Sequence, residues 1–199
     1  MAELLSEASA QINSDSARLD AEILLAHALQ KPRSHLFAWP EKIPTPAQQA
    51  RFLALAKQRA AGQPVAYLTG HQEFWSMDLH ITPDVLIPRP ETELLVELAL
   101  QRLPDKQAQV AELGTGSGAI ALALASERPA WAITATDISQ AALDVARRNA
   151  HRLGRSITWC HGNWCHALPA QKYDLIISNP PYIAENDPHL KQGDICFEP

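Results

Sequence analysis

Cysteine, basic charge and long apolar runs are scarce in this sequence, and each scarcity excludes a class of protein. Three cysteines in 199 residues are too few for a disulfide framework, and their odd number points to a reducing compartment. A formal charge of −5 provides no global basic field for nucleic acid. No apolar run approaches the ~18 residues that cross a bilayer, and the acidic start does not have the layout of a signal peptide. We therefore expect a cytoplasmic protein without a membrane partner.

The first part of the chain, residues 1–70, carries apolar side chains at helical spacing. The pair Thr45-Pro46 is a favourable start for one of these helices. In an earlier helix, the spacing places the acidic Asp20 and Glu22 opposite an apolar, buried face. That face consists of Leu19, Ile23, Leu24 and Ala28. We predict a small helical domain here and assign it to substrate recognition.

The second part, residues 71–90, is a connector. Two short extended pieces flank Ser76-Met77-Asp78 and predict a β-hairpin. The third part, residues 91–199, begins with a helix whose apolar face we predict from Leu94, Leu95 and Leu98.

From residue 109 onward, strand-like and helix-like segments alternate. Four short apolar segments read as strands, at residues 109–113, 132–136, 156–160 and 173–178. Alternation of this kind predicts an α/β fold with a parallel, doubly wound, Rossmann-like sheet.

A glycine-rich turn, Gly114-Thr115-Gly116-Ser117-Gly118, follows the first of these strands. Glycine has no Cβ, so a ligand can approach such a turn closely, although the spacing differs from the Gly-x-Gly-x-x-Gly of a pyrophosphate cradle. Glu112 precedes the turn, where it could meet a cation, and Asp137 ends the second strand, where it could accept from two ribose hydroxyls. A cation and a ribose together favour S-adenosylmethionine over NAD as the cofactor.

The fourth strand runs into Asn179-Pro180-Pro181-Tyr182. Asn179 offers a side-chain carbonyl, and the prolines offer backbone carbonyls without competing N–H groups. With the flat ring of Tyr182, these acceptors could hold a planar –NH₂ group, either a carboxamide or an exocyclic amine.

These motifs together resemble a known family. Residues 112–118, Asp137, Asn163-Trp164 and residues 179–182 resemble the class I methyltransferases. Adding residues 64–70 (PVAYLTG), 73–75 (EFW) and 86–93 (LIPRPETE), the chain is similar to the release factor glutamine methyltransferases over nearly all of its length. The resemblance implies methyl transfer from S-adenosylmethionine to the glutamine side chain in the Gly-Gly-Gln motif of peptide chain release factors.

The resemblance also implies roles for individual residues. The implied cofactor residues are Gly114, Thr115, Gly116, Ser117, Gly118, Asp137, Trp164 and Asn179. The implied substrate residues are Asn179, Pro180, Pro181 and Tyr182. We expect Asn179 and Pro180 to accept the N–H bonds of the substrate amide, with Tyr182 against its plane. Asn163 stands where relatives often carry aspartate; its amide can still accept from the adenine amine, without charge.

Two further expectations concern the extent of the chain and its assembly. The implied sheet has seven strands and four are readable here, so we expect the C-terminal part of the domain to be missing. The fourth strand would then form an open apolar edge. We expect a monomer that makes no direct contact with nucleic acid.

Other functions stay open at this point. An N6-adenine methyltransferase acting on DNA or RNA could use the same tetrapeptide for the adenine amine. A non-catalytic nucleoside-binding module is a second alternative. Cys160, His161, Cys165 and His166 lie close together, but because no second ligand pair follows at finger spacing, we expect no metal.

Overall fold

The computed structural model describes residues 1–103, 106–181 and 193–199. Contacts divide the chain into two compact units, the first containing residues 1–70 and the second beginning at His71. In the described ranges, every helix is too short or too polar to span a membrane.

The first unit is helical, as predicted. Its helices are α1 (Ala2–Gln11), α2 (Ala17–Leu29), α3 (Ser34–Ala38), α4 (Pro46–Ala60) and α5 (Val65–Thr69). Leu24, Leu25 and Phe52 are completely buried in its core. Thr45 caps α4 through a reciprocal capping box with Gln48, which confirms the predicted start of that helix. The short helices α3 and α5 were not predicted, because one helical turn carries too few residues to show a period.

The predicted apolar face of α2 is confirmed at Leu24 and Ala28, which are buried, but the placements of Leu19, Asp20 and Glu22 were wrong. Leu19 is 41% exposed, whereas Asp20 and Glu22 are buried. Asp20 forms a buried ion pair of 2.8 Å with Arg59 of α4. Glu22 is held at 2.9 Å by both Arg18 and Arg33. Burial is tolerated because each carboxylate has a cationic partner, which helical periodicity does not reveal.

The second unit begins with the predicted hairpin, formed by β1 (His71–Phe74) and β2 (Met77–His80). The remaining elements are α6 (Glu93–Arg102), β3 (Gln109–Leu113), α7 (Ala119–Glu127), β4 (Ala132–Asp137), α8 (Gln140–Leu153), β5 (Thr158–His161) and β6 (Leu175–Ser178). Strands β3 to β6 form a parallel sheet in the order β5-β4-β3-β6. The predicted α/β class and parallel sheet are confirmed.

The strand order locates the ligand-binding edge of this sheet. From β3 the chain proceeds outward to β4 and β5, and then returns to place β6 on the other side of β3. The order therefore reverses between β3 and β6, and open α/β sheets bind ligands at the carboxyl ends of the strands beside such a reversal.

Strand β6 is the outer strand on this side of the described sheet. Ile176 is 52% exposed, and a groove of about 220 Å³ runs between β6 and α6. The predicted apolar face of α6 needs correction, since Val96 and Ala99 are its buried residues and Leu94 is 57% exposed. Leu95 and Leu98 line the groove.

Candidate active site

Three of the predicted site residues leave the sheet at the same level. Leu113 at the end of β3 is in register with Thr136 of β4 and with Ser178 of β6. The hydroxyl of Ser178 also donates to the carbonyl oxygen of Leu113 at 2.7 Å. The residues that come next on the three strands are Gly114, Asp137 and Asn179. The sheet register therefore brings the glycine-rich turn, the acidic residue and the amide to one edge.

The glycine-rich turn presents an open face at its first two glycines. Gly114 and Gly116 have φ of +71° and +55°, and a Cβ added to either would meet no atom within 4 Å. The N–H groups of Gly114 and Thr115 both donate to the carbonyl of Thr136 at 2.9 Å. The turn is thus fixed to β4 and leaves a surface on which a ligand can approach the backbone.

Gly118 has a different role from the other two glycines. Its φ is +84°, and an added Cβ would lie 3.2 Å from both Ala146 and Leu122 and 3.3 Å from Trp159. This glycine allows α7 to pack against its neighbours, whereas Gly114 and Gly116 border open space.

Asp137 combines a structural task with remaining capacity for a ligand. Its Oδ2 accepts from the N–H of Gly116 at 2.8 Å, and its Oδ1 accepts from the N–H of Ser139 at 2.9 Å. A carboxylate has about four acceptor positions, so both oxygens can accept a further hydrogen bond. The side chain is partly exposed, which suits an acceptor for ligand hydroxyls.

Glu112 is enclosed below the turn, with 1% of its surface exposed. Its Oε2 accepts from the Thr115 hydroxyl at 2.6 Å and from the N–H of Ala121 at 3.0 Å. Burial raises the pKa of Glu112 to about 8, although these two hydrogen bonds act in the opposite direction. The geometry makes Glu112 a brace between the turn and the first residues of α7.

Asn163 and Trp164 lie on the loop after β5, as a 3₁₀ helix begins at Trp164. The N–H of Gly162 donates to the carbonyl of Asp137 at 2.9 Å, so this loop is bonded directly to the end of β4. Trp164 adopts a φ of +47° and is 52% exposed. Ile138, next to Asp137, is 71% exposed. Two segments joined by a backbone hydrogen bond thus each expose a large apolar side chain, Ile138 and Trp164. Such surfaces suit the face of a planar ring.

Asn179 is exposed at the end of β6, and its amide has a defined neighbour. Nδ2 donates to the hydroxyl of Thr92 at 3.0 Å, which leaves Oδ1 as the acceptor of the side chain. Thr92 ends the 3₁₀ turn Pro90–Thr92 that precedes α6. Pro180 and Pro181 follow Asn179, and Tyr182 lies outside the described residues.

Comparison with known proteins gives a consistent picture. A family model of the PrmC N-terminal domain matches residues 3–70, and one of the methyltransferase small domain matches residues 91–194. The release factor glutamine methyltransferase of Escherichia coli is 49% identical over 197 residues, covering 98% of this chain and 71% of that protein. The chain belongs to the release factor glutamine methyltransferase family. The resemblance inferred from the motifs is thus confirmed.

Other members of this family are similar at the same level. The release factor glutamine methyltransferase of Coxiella burnetii is 53% identical over 182 residues, covering 90% of this chain and 65% of that protein. The one from Xylella fastidiosa is 54% identical over 184 residues, covering 92% and 67%. The chain thus spans about two thirds of the length of these relatives.

Two residues of the site escaped the sequence analysis. Thr92 lies in the motif that indicated the family, but its sequence position gives no sign of the bond to Asn179. Ile138 lies directly after β4. Its sequence signal is its position, because a large apolar residue between the end of a strand and the cap of the next helix indicates an exposed apolar contact. Within the described ranges, no group of three or more His, Cys, Asp or Glu side chains is placed to hold a metal, including the segment 160–166.

Proposed function

We propose that this chain belongs to an enzyme that transfers a methyl group from S-adenosylmethionine to the side-chain amide nitrogen of a glutamine. By analogy with its relatives, the substrate is the glutamine of the Gly-Gly-Gln motif in peptide chain release factors. The observation that carries the proposal is the common level at which Gly114, Asp137 and Asn179 leave three neighbouring strands. Family membership supplies the reaction class.

The cofactor side of the proposal rests on the open turn. Gly114 and Gly116 let the cofactor approach the backbone, and Asp137 accepts hydrogen bonds from the ribose hydroxyls. Ile138 and Trp164 take the adenine ring between exposed apolar surfaces. The cofactor supplies an electrophilic methyl group on a positively charged sulfur.

The substrate side rests on Asn179. The nitrogen of a carboxamide is a poor nucleophile because its lone pair is delocalised into the carbonyl. Oδ1 of Asn179 and the backbone carbonyl of Pro180 accept the two N–H bonds of the substrate amide, which orients the nitrogen and favours the positive charge that develops on it. As the carbon–nitrogen bond forms, the carbon–sulfur bond would break and S-adenosylhomocysteine would leave. The methylated nitrogen would then lose one proton through these acceptors or to water.

Thr92 sets the orientation on which this scheme depends. Because its hydroxyl accepts from Nδ2, the Asn179 amide presents Oδ1 to the substrate. A Thr92→Val variant removes that acceptor and allows the amide to reverse. Thr92→Ser keeps the hydroxyl and is the matched control.

The test is mass spectrometry of a release factor incubated with the chain and S-adenosylmethionine. The expected product carries one methyl group on the Gly-Gly-Gln glutamine. Asn179→Ala should lower the single-turnover rate about 10²-fold or more, the scale of removing one group that stabilises the transition state. Asp137→Ala should instead weaken cofactor binding, by about 1.5–3 kcal/mol for lost hydrogen bonds to a charged group.

Contrary outcomes are equally specific. Methylation of an adenine-containing oligonucleotide, with none of the release factor, would establish the N6-adenine activity instead. Cofactor binding without turnover on either substrate would indicate a nucleoside-binding module. If Asn179→Ala methylates at the parent rate, Asn179 does not position the nucleophile.

A further inference from the structure

A buried asparagine on α8 connects two segments of the second unit. Asn149 is 0% exposed. Its Nδ2 donates to the carbonyl of His80 at 3.0 Å and to the carbonyl of Ser117 at 3.0 Å, and its Oδ1 accepts from the N–H of His80 at 2.7 Å. One side chain therefore holds both backbone groups of the last residue of the hairpin and one carbonyl of the glycine-rich turn.

The orientation of this amide is determined by its partners. In the reversed orientation, Oδ1 would face the carbonyls of His80 and Ser117, and Nδ2 would face the N–H of His80. In the observed orientation, all three contacts pair a donor with an acceptor. Loss of the Nδ2 donors would leave two carbonyls facing an apolar or acceptor group, a costly arrangement in the protein interior.

The carbonyl of Ser117 is an effective point at which to hold the turn. Ser117 lies between Gly116 and Gly118, which adopt φ values of +55° and +84°. Because glycine has wide conformational freedom, the backbone on both sides of Ser117 is intrinsically flexible. The ligand-facing end of the turn is bonded to β4 through Thr136 and Asp137. Asn149 holds the other end of the turn through its bond to the carbonyl of Ser117, which is itself a buried residue.

The same helix holds the hairpin a second time, one turn further along. Arg152 of α8 forms an ion pair of 3.1 Å with Asp78 of β2. Both side chains are exposed, at 39% and 62%, so this pair contributes little to stability. Arg152 contacts the hairpin and Asn149 contacts both the hairpin and the turn, which makes the two residues a matched pair for experiment.

We propose that Asn149 is a positioning residue, which couples the hairpin β1–β2 to the glycine-rich turn and so fixes the turn in the geometry that binds the cofactor. This inference rests on the proposed function, because it takes the turn to be the cofactor site. It assigns the hairpin a part in cofactor binding, although the hairpin itself carries none of the site residues.

The experiment compares Asn149→Asp with Arg152→Met by calorimetry, with S-adenosylhomocysteine as a probe that cannot react. Asn149→Asp keeps the size and the acceptor for His80, but it cannot supply both donors, because a buried carboxyl that takes up a proton has a single O–H. We expect its Kd for the probe to rise about tenfold, the effect of losing the one hydrogen bond that reaches the turn, from Nδ2 to the carbonyl of Ser117. We expect the Kd of Arg152→Met to equal that of the parent. In turnover assays, Asn149→Asp should raise KM for the cofactor and leave kcat at saturation within about twofold.

A measurement on the parent protein covers the case in which Asn149→Asp does not fold. Hydrogen exchange of the Asn149 side-chain amide and of the His80 backbone amide should slow when the probe binds, because the coupled turn becomes more rigid. Unchanged exchange at both groups would overturn the inference, and so would an unchanged Kd in a folded Asn149→Asp. Failure of the parent to bind the probe would instead refute the proposed function, and this inference with it.

Discussion

The two kinds of glycine in the cofactor turn should be separable by a single methyl group. Gly118→Ala places a Cβ 3.2–3.3 Å from three side chains, at a φ of +84°. The left-handed backbone costs about 1–2 kcal/mol and the overpacking about 1–3 kcal/mol more, so we expect a loss of roughly 2–5 kcal/mol in the free energy of unfolding. The packing of α7 is the structure that this substitution disturbs.

Gly116→Ala is the matched substitution on the other side of the same turn. Its φ is +55°, and the new Cβ meets no atom of the protein within 4 Å. The expected loss in the free energy of unfolding is then only the cost of the left-handed backbone, about 1–2 kcal/mol. The methyl group, however, projects into the space from which we propose that the cofactor approaches, so we expect cofactor affinity to fall more than stability does.

The assay pairs urea unfolding with calorimetric titration of the cofactor for both variants. The expected pattern is a large stability loss for Gly118→Ala and a large affinity loss for Gly116→Ala. Equal stability losses would show that the close contacts of Gly118 relax at little cost. Unchanged cofactor affinity in Gly116→Ala would show that the open face is not the binding face, and would refute the assignment of the turn.

Two further predictions concern buried carboxyl groups. Burial raises the pKa of Glu112 from 4.5 to about 8, so the folded protein holds a proton that the unfolded chain releases, and stability should fall as pH rises from about 5 to 8. Glu112→Gln should remove this decline, because glutamine does not titrate. The variant should still fold, since both observed donors bind a single oxygen that the amide carbonyl can replace. An equal decline in the unfolding free energies of parent and variant would contradict the raised pKa of Glu112. Arg59→Met should destabilise the first unit by about 3–5 kcal/mol, since it leaves Asp20 buried without its ion-pair partner. Arg147→Met, which breaks an exposed pair with Asp144, should cost less than about 1 kcal/mol in the same urea titration, and similar losses for the two would contradict the role of burial.

The sheet and much of the site could be predicted from the sequence because local patterns carry them. Short apolar segments, a glycine-rich turn and polar residues at strand ends indicated a parallel sheet with Gly114, Asp137 and Asn179 at its carboxyl edge. These features depend on residues that are neighbours in the chain, and the parallel arrangement then determines which edge they share.

Pairings over long sequence distances could not be predicted in the same way. Because Asp20 and Glu22 are charged, helical periodicity assigns them to the exposed face. Their burial depends on arginines elsewhere in the chain. Asn149 and His80 are 69 residues apart, and Thr92 and Asn179 are 87 apart. A hydrogen bond between two such residues leaves no periodic trace in a single sequence, so the positioning residues emerged only from the structure.

The register between β3 and β6 has a consequence for folding order. The turn and Asp137 belong to the continuous segment β3–α7–β4, whose parts are close in the chain, whereas Ser178 reaches Leu113 across 65 residues. Closing the longer loop costs more entropy and is expected later in folding. The glycine-rich turn and Asp137 should therefore be brought together before Asn179 joins them at the edge of the sheet. Full affinity for a cofactor at the turn, which in our inference also needs the bonds between Asn149 and His80 across 69 residues, should appear only once these long-range contacts have formed.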